Sequence, residues 1–241
     1  MAIQKDNKPL LMGVINLTPD SFYAPSRAET LDAVKARISA LKRRGCSIFD
    51  VGAVSTRPGA EPVDVETEWA RLEAVLSSPI AAKLQGHLSI DTTSAEIVRR
   101  VYDKVGRFIV NDISAGEDDP EMLETVASLG LPFVAMHKRG NPQTMDDLCD
   151  YPDGVVNGVL DYFKAFSVKA DALGIKDWIL DPGFGFAKTN EQNWELLEHL
   201  SEFKVFGRPV LAGIADKRFT HGHSRKARSL AMSAADILRI H

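Results

Sequence analysis

Asn16, Asp50, Asp91, Asn111, His137, Asp181, Lys217, Arg239 and His241 share one feature: each stands at or just after the end of a short apolar run. A polar group placed there is shielded from water and needs a partner, and a ligand is one such partner. The residue types divide by chemistry. Asp91, Asn111 and Asp181 offer hydrogen-bond acceptors, which suit a heterocycle carrying a ring N–H beside an amino group. Lys217 is a point charge able to meet a ring carbonyl or nitrogen. Asn16, Arg57, Arg239 and His241 suit an anion such as pyrophosphate, with Mg2+ between. The competing account is that these residues merely cap helices. Asp91 precedes a helix expected near Ser94, and Asp181 precedes the turn residues Pro182 and Gly183. Recurrence of the pattern after run upon run favours a shared site.

The apolar runs read as strands buried on both faces, over residues 10–15, 46–51, 87–90, 108–110, 132–136, 178–181, 209–215 and 237–240. Between them helical spacing recurs over 28–44, 65–78, 93–105, 121–129, 155–173, 191–203 and 225–235, with a long loop at 137–152. The helix from 65 shows Trp69, Leu72 and Leu76 as its apolar stripe and is ended by Pro79. Eight strands alternating with helices predict one α/β domain over residues 1–241, a (β/α)8 TIM barrel. In that fold the carboxyl ends of the strands carry the chemistry. The crossover before the eighth strand is short and no helix follows it, so a short or incomplete C-terminal end is expected.

A formal net charge of −4 gives no basic field for nucleic acid. Cys46 and Cys149 have no metal or redox spacing, which suits reduced thiols in a cytoplasmic protein. No apolar run is long enough to span a membrane, and residues 1–9 lack the apolar stretch of a signal peptide. The carboxylates lack the spacing of an all-protein metal cage, and there is no nucleophile elbow or P-loop.

Motifs then carry a family resemblance. MGVINLTPDSF over 12–22, DVGAVSTRPGA over 50–60 with Pro62 and Val63, SIDT over 89–92 and NDI over 111–113 come first. Met136-His137, LDPGFGF over 180–186 with Lys188 and Thr189, and ILRIH over 237–241 follow. In this order, spanning nearly the whole chain, they resemble dihydropteroate synthase, the folate-pathway enzyme. The resemblance implies condensation of 6-hydroxymethyl-7,8-dihydropterin pyrophosphate with p-aminobenzoate, without a protein nucleophile, in a homodimer. It implies that Asp91, Asn111, Asp181 and Lys217 are the catalytic set holding the pterin, with Met136, Gly185 and Phe186 around it. It implies that Asn16 binds Mg2+ and, with Arg57, Arg239 and His241, the pyrophosphate. Phe22, Thr56, Arg57 and Pro58 would shape the p-aminobenzoate pocket.

Two departures stand out. Ala24 replaces the family's second Asp in the first loop, and Ala215-Asp216-Lys217-Arg218 replaces Ser-Arg-Lys-Ser. Arg218 thus occupies the place of a Ser that helps hold the p-aminobenzoate carboxylate, and it either binds that carboxylate or blocks it. The alternatives are a pterin-binding paralogue with impaired turnover and a pterin-dependent methyltransferase; the Ser55–Pro58 loop argues against the methyltransferase.

Overall fold

A computed structural model describes residues 8–18, 27–54, 63–140, 144–215 and 217–241, with the side chains of 27–30 and of Asp146 left aside. Among the described residues eight strands are present: β1 (Leu10–Asn16), β2 (Cys46–Gly52), β3 (Leu88–Asp91), β4 (Ile109–Asp112), β5 (Phe133–Met136), β6 (Trp178–Asp181), β7 (Leu211–Ala212) and β8 (Ile237–Ile240). The helices are α1 (Arg27–Arg43), α2 (Val65–Leu76), α3 (Ile80–Leu84), α4 (Ala95–Val105), α5 (Met122–Leu129), α6 (Val155–Leu173), α7 (Asn190–Glu198) and α8 (Ser224–Ala234). All pairings are parallel, in the order β6-β5-β4-β3-β2-β1-β8-β7. A single bridge between Leu180 and Val210 joins the two ends, so the sheet closes into the expected (β/α)8 barrel.

Side chains alternate across each strand, which gives the barrel an inside and an outside. Outward residues such as Val51, Ile90, Val110 and Leu180 pack with the helices in one large cluster. Inside, Met12, Ile48, Ile109, Val134, Ile179, Leu211 and Ile237 form a separate apolar plug. Two residues further along the same strands stand Asp50, Asn111, Met136, Asp181 and Arg239. The interior is therefore apolar in its lower layer and mostly polar towards the strands' carboxyl ends.

The structure adjusts several sequence expectations. The strand expected at 209–215 is only Leu211–Ala212, since Pro209 lacks an N–H for a ladder and Gly213 follows directly. The helix expected at 191–203 ends at Glu198 and continues as a 3-10 segment, Leu200–Phe206. Pro79 does end α2, yet it also starts α3, because its fixed φ of −60° suits a first turn. The loop at 137–152 carries a 3-10 turn, Met145–Leu148. On α2 the buried face is Glu68, Leu72, Val75 and Leu76, with Trp69 only half-buried. Ser94, not Asp91, caps α4, accepting from the Ile97 N–H at 3.4 Å. Thr189, not Asp181, caps α7 through a capping box with Gln192.

Candidate active site

Register sets the site. Asn16 pairs with Gly52, Gly52 with Asp91, and Asp91 with Asn111, so these four lie in one row across β1 to β4. Glycine at position 52 leaves that row open: a Cβ there would stand 3.2 Å from the Asp91 Cβ. Met136 and Asp181 pair with each other further round.

Asp50 organises the centre. It is fully buried, and its Oδ1 accepts from the Ser89 hydroxyl at 2.8 Å. Its Oδ2 accepts from the Asn111 amide at 3.0 Å and lies 2.6 Å from Arg239 Nη2. The same nitrogen of Arg239 donates to Asp91 Oδ2 at 2.6 Å. Asn111 gives one Nδ2 hydrogen to Asp50, so its carbonyl oxygen and its second amide N–H are left for a ligand. Burial raises the Asp91 carboxyl to about 6, against the opposing charge of Arg239 and with the like charge of Asp50 adding to it. Arg239 keeps a buried Nε with no hydrogen-bond partner among the described residues.

Asp181 closes the other side. It is buried, its Oδ1 accepts from the Gly183 N–H at 2.8 Å, and burial raises its pKa. Lys217 Nζ sits 4.8 Å over the Phe186 ring. A Cβ on Gly185 would lie 3.5 Å from that ammonium. Burial lowers the Lys217 pKa, and Asp181 opposes the shift. Asp91, Asn111, Asp181, Lys217 and Arg239 are thus drawn to one mouth of the barrel, with Met136, Gly185 and Phe186 beside them.

Asn16 is half-buried at the end of β1, in the row that holds Asp91 and Asn111. Arg218 is exposed at the start of a 3-10 turn, Arg218–Thr220. His241 is exposed, accepts from Arg44 through its carbonyl, and lines a groove with Leu11, Leu238, Arg239 and Ile240. Phe22, Ala24, Ser55, Thr56, Arg57, Pro58 and Asp216 lie outside the described residues. Among the described residues no three His, Cys, Asp or Glu side chains cluster as metal ligands. A cavity of about 190 Å³ under Ile48, Ile109, Ile179 and Ile237 lies at the opposite end, away from these groups.

The sequence places Asp50 among the strand-end residues without a specific role, and it does not single out Glu68. Glu68 is buried, and its pKa is raised chiefly by burial and also by nearby Asp91. Its Oε1 has no partner among the described residues. The signal was present: Glu68 shares a helical face with Leu72 and Val75.

A family model described as a pterin binding enzyme matches residues 12–240. This chain belongs to the pterin-binding enzyme family. Dihydropteroate synthase from Synechocystis is 40% identical over 87% of this chain and 72% of its own length. The Escherichia coli dihydropteroate synthase is 38% identical over 97% and 86%. A solved structure of Xanthomonas albilineans dihydropteroate synthase with 4-aminobenzoic acid superposes with a TM-score of 0.81 at 34% identity, covering 97% of this chain and 88% of that one. Both the sequence and the barrel of this chain are similar to those of dihydropteroate synthases.

Proposed function

We propose that the acceptors and cations at the barrel mouth serve a dihydropteroate synthase reaction. The enzyme is a transferase: it condenses 6-hydroxymethyl-7,8-dihydropterin pyrophosphate with p-aminobenzoate, giving 7,8-dihydropteroate and pyrophosphate. The observation that carries the assignment of roles is the convergence of Asp91, Asn111 and Asp181 with Lys217 and Arg239. Paired donors on the pterin ring meet the carboxylates, and the Asn111 carbonyl accepts a further N–H. Lys217 meets a ring acceptor, and Met136, Gly185 and Phe186 wall the ring. As the C–O bond to pyrophosphate breaks, the carboxylates stabilise positive charge left on the pterin, and the p-aminobenzoate amine attacks that carbon.

The leaving pyrophosphate is assigned to Asn16, Arg57, Arg239 and His241. The unpartnered Nε of Arg239 is a donor still free for an anion. Mg2+ fits this donor set, because it is commonly held by one or two protein oxygens plus water and substrate phosphates. Asn16 would hold it, and its chemistry there is neutralisation of charge on the pyrophosphate. Phe22, Thr56, Arg57, Pro58 and Arg218 are assigned to p-aminobenzoate. A homodimer in the cytoplasm completes the proposal; among the described residues no helix is long and apolar enough to cross a membrane.

The test is pyrophosphate release from the dihydropterin pyrophosphate, with Mg2+, in the presence and absence of p-aminobenzoate. Release dependent on p-aminobenzoate, with dihydropteroate formed, is expected. Tight pterin binding without release in either case would instead mark a binding protein.

A further inference from the structure

A buried lysine ammonium needs every hydrogen occupied. Lys188 is buried, and its Nζ donates to the Gly183 carbonyl at 3.0 Å and the Phe186 carbonyl at 2.9 Å. The third neighbour is His137 Nδ1 at 2.9 Å. Three acceptors match the three hydrogens of an ammonium. With Lys188 charged, Nδ1 accepts and the ring proton sits on Nε2. Burial, followed by the charges of Lys188 and Arg139, drives the His137 pKa down to about 2, so that ring is neutral at ordinary pH. Its edge packs on Tyr162 with centroids 4.9 Å apart.

These acceptors come from two separate strand ends. His137 follows β5, whereas Gly183 and Phe186 follow β6. The segment 183–187 is tightly folded, with φ of 71° at Gly183, 80° at Gly185 and 48° at Ala187. A Cβ on Gly183 would lie 2.0 Å from the His137 carbonyl oxygen, so the two strand ends touch there backbone to backbone. Asn193 accepts from the Gly185 N–H at 2.7 Å, and the Tyr151 hydroxyl donates to the Ala187 carbonyl at 3.0 Å. The same segment meets the site through the Gly183 N–H on Asp181 and the Phe186 ring under Lys217.

We propose that Lys188 is a positioning residue of the synthase reaction: it ties the strand ends of β5 and β6 together and so fixes Asp181 and Phe186 where the pterin needs them. The inference rests on the pterin reading above and deepens it. Lys188 does not itself meet the substrate; its bonds are spent inside the fold. Burial pulls its ammonium down to about 7, against the charge of Asp181, so the brace is close to titration at neutral pH.

The experiment compares the full chain with Lys188→Met and Lys188→Arg in steady-state turnover. Lys188→Met keeps the stem and removes the donors. It is expected to raise KM for the pterin substrate by about tenfold or more, since a small misplacement of binding groups is costly, with KM for p-aminobenzoate unchanged. Lys188→Arg keeps the charge in a planar fork that cannot serve three tetrahedrally placed acceptors, and less than half of the loss is expected to return. A folded Lys188→Met with both KM values unchanged, or full recovery by Lys188→Arg, overturns the brace. If Lys188→Met does not fold, 15N NMR of the wild type decides: a protonated Nε2 and bare Nδ1 on His137 are expected, and a proton on Nδ1 overturns the proposal. A wild type that releases no pyrophosphate sinks the synthase reading instead and leaves the NMR outcome to judge the brace.

Discussion

The two layers of the barrel interior come largely from the same strands, two residues apart, and differ in what they contribute. In the lower layer Met12, Ile48, Ile109, Val134, Ile179, Leu211 and Ile237 fill space with apolar surface. In the upper layer Asp50, Asp91, Asn111, Asp181 and Arg239 bury charge and satisfy much of it with one another. Burial of ion pairs is a weak source of stability, because desolvation offsets the attraction. The lower layer therefore holds the barrel closed, while the upper layer is kept for a ligand. The cost shows in Asp91 and Asp181, both raised in pKa by burial.

Four substitutions or conditions sharpen this contrast. Asp181→Ala should have the largest effect on function, a fall of roughly 10²–10³-fold in kcat/KM for the pterin substrate, with little loss of stability because a carboxyl disfavoured by burial is removed. Undiminished pterin binding by that variant, measured by calorimetry, would sink the central assignment. Ile179→Ala in the layer below should show the reverse, losing about 3 kcal/mol in denaturant unfolding while folded protein keeps its KM. Equal losses of turnover in the two variants would dissolve the distinction between layers.

The third effect is a pH dependence. Asp91 accepts from the pterin more strongly as the carboxylate than as the acid, and its pKa is raised to about 6. Pterin affinity should therefore fall as pH drops through that value, about tenfold between pH 7 and pH 5 for a single group. Stability runs the other way: a raised folded pKa favours folding at acid pH, and that contribution is lost as pH rises towards about 6. Asp91→Asn should abolish the affinity inflection, and an unchanged titration curve in that variant would assign it to another group. The smallest effect belongs to Arg218→Ser. The side chain is exposed, so KM for p-aminobenzoate should shift by about threefold at most; a larger fall in KM would mean that Arg218 blocks the pocket.

Much of this was legible in the chain. Continuous apolar runs located β1 to β6 and β8 to within a few residues, because strands buried on both faces leave few polar positions to confuse the pattern. The polar residues ending those runs located the upper layer. What stayed hidden depends on register and on contacts distant in sequence. That Asp50 meets Asn111 follows only once β2, β3 and β4 are aligned, 61 residues apart along the chain. Lys188 stood in a matching motif, but its partner His137 lies 51 residues away and nothing local announces the pair. β7 was overestimated because Val210 and Leu211 look strand-like, whereas the flanking Pro209 and Gly213 limit what can pair.

Closure of the barrel between β6 and β7 has a mechanical consequence. The seam holds one bridge, with the Leu180 N–H on the Pro209 carbonyl at 2.9 Å, against six register pairs between β1 and β2. Asp181 extends from one lip of the seam, and Lys217 stands a few residues beyond the other. A change in the width of the mouth at this point breaks the fewest backbone bonds of any wall. Asp181 and Lys217 therefore face each other across the least-bonded joint of the cylinder, like the jaws of a split collet.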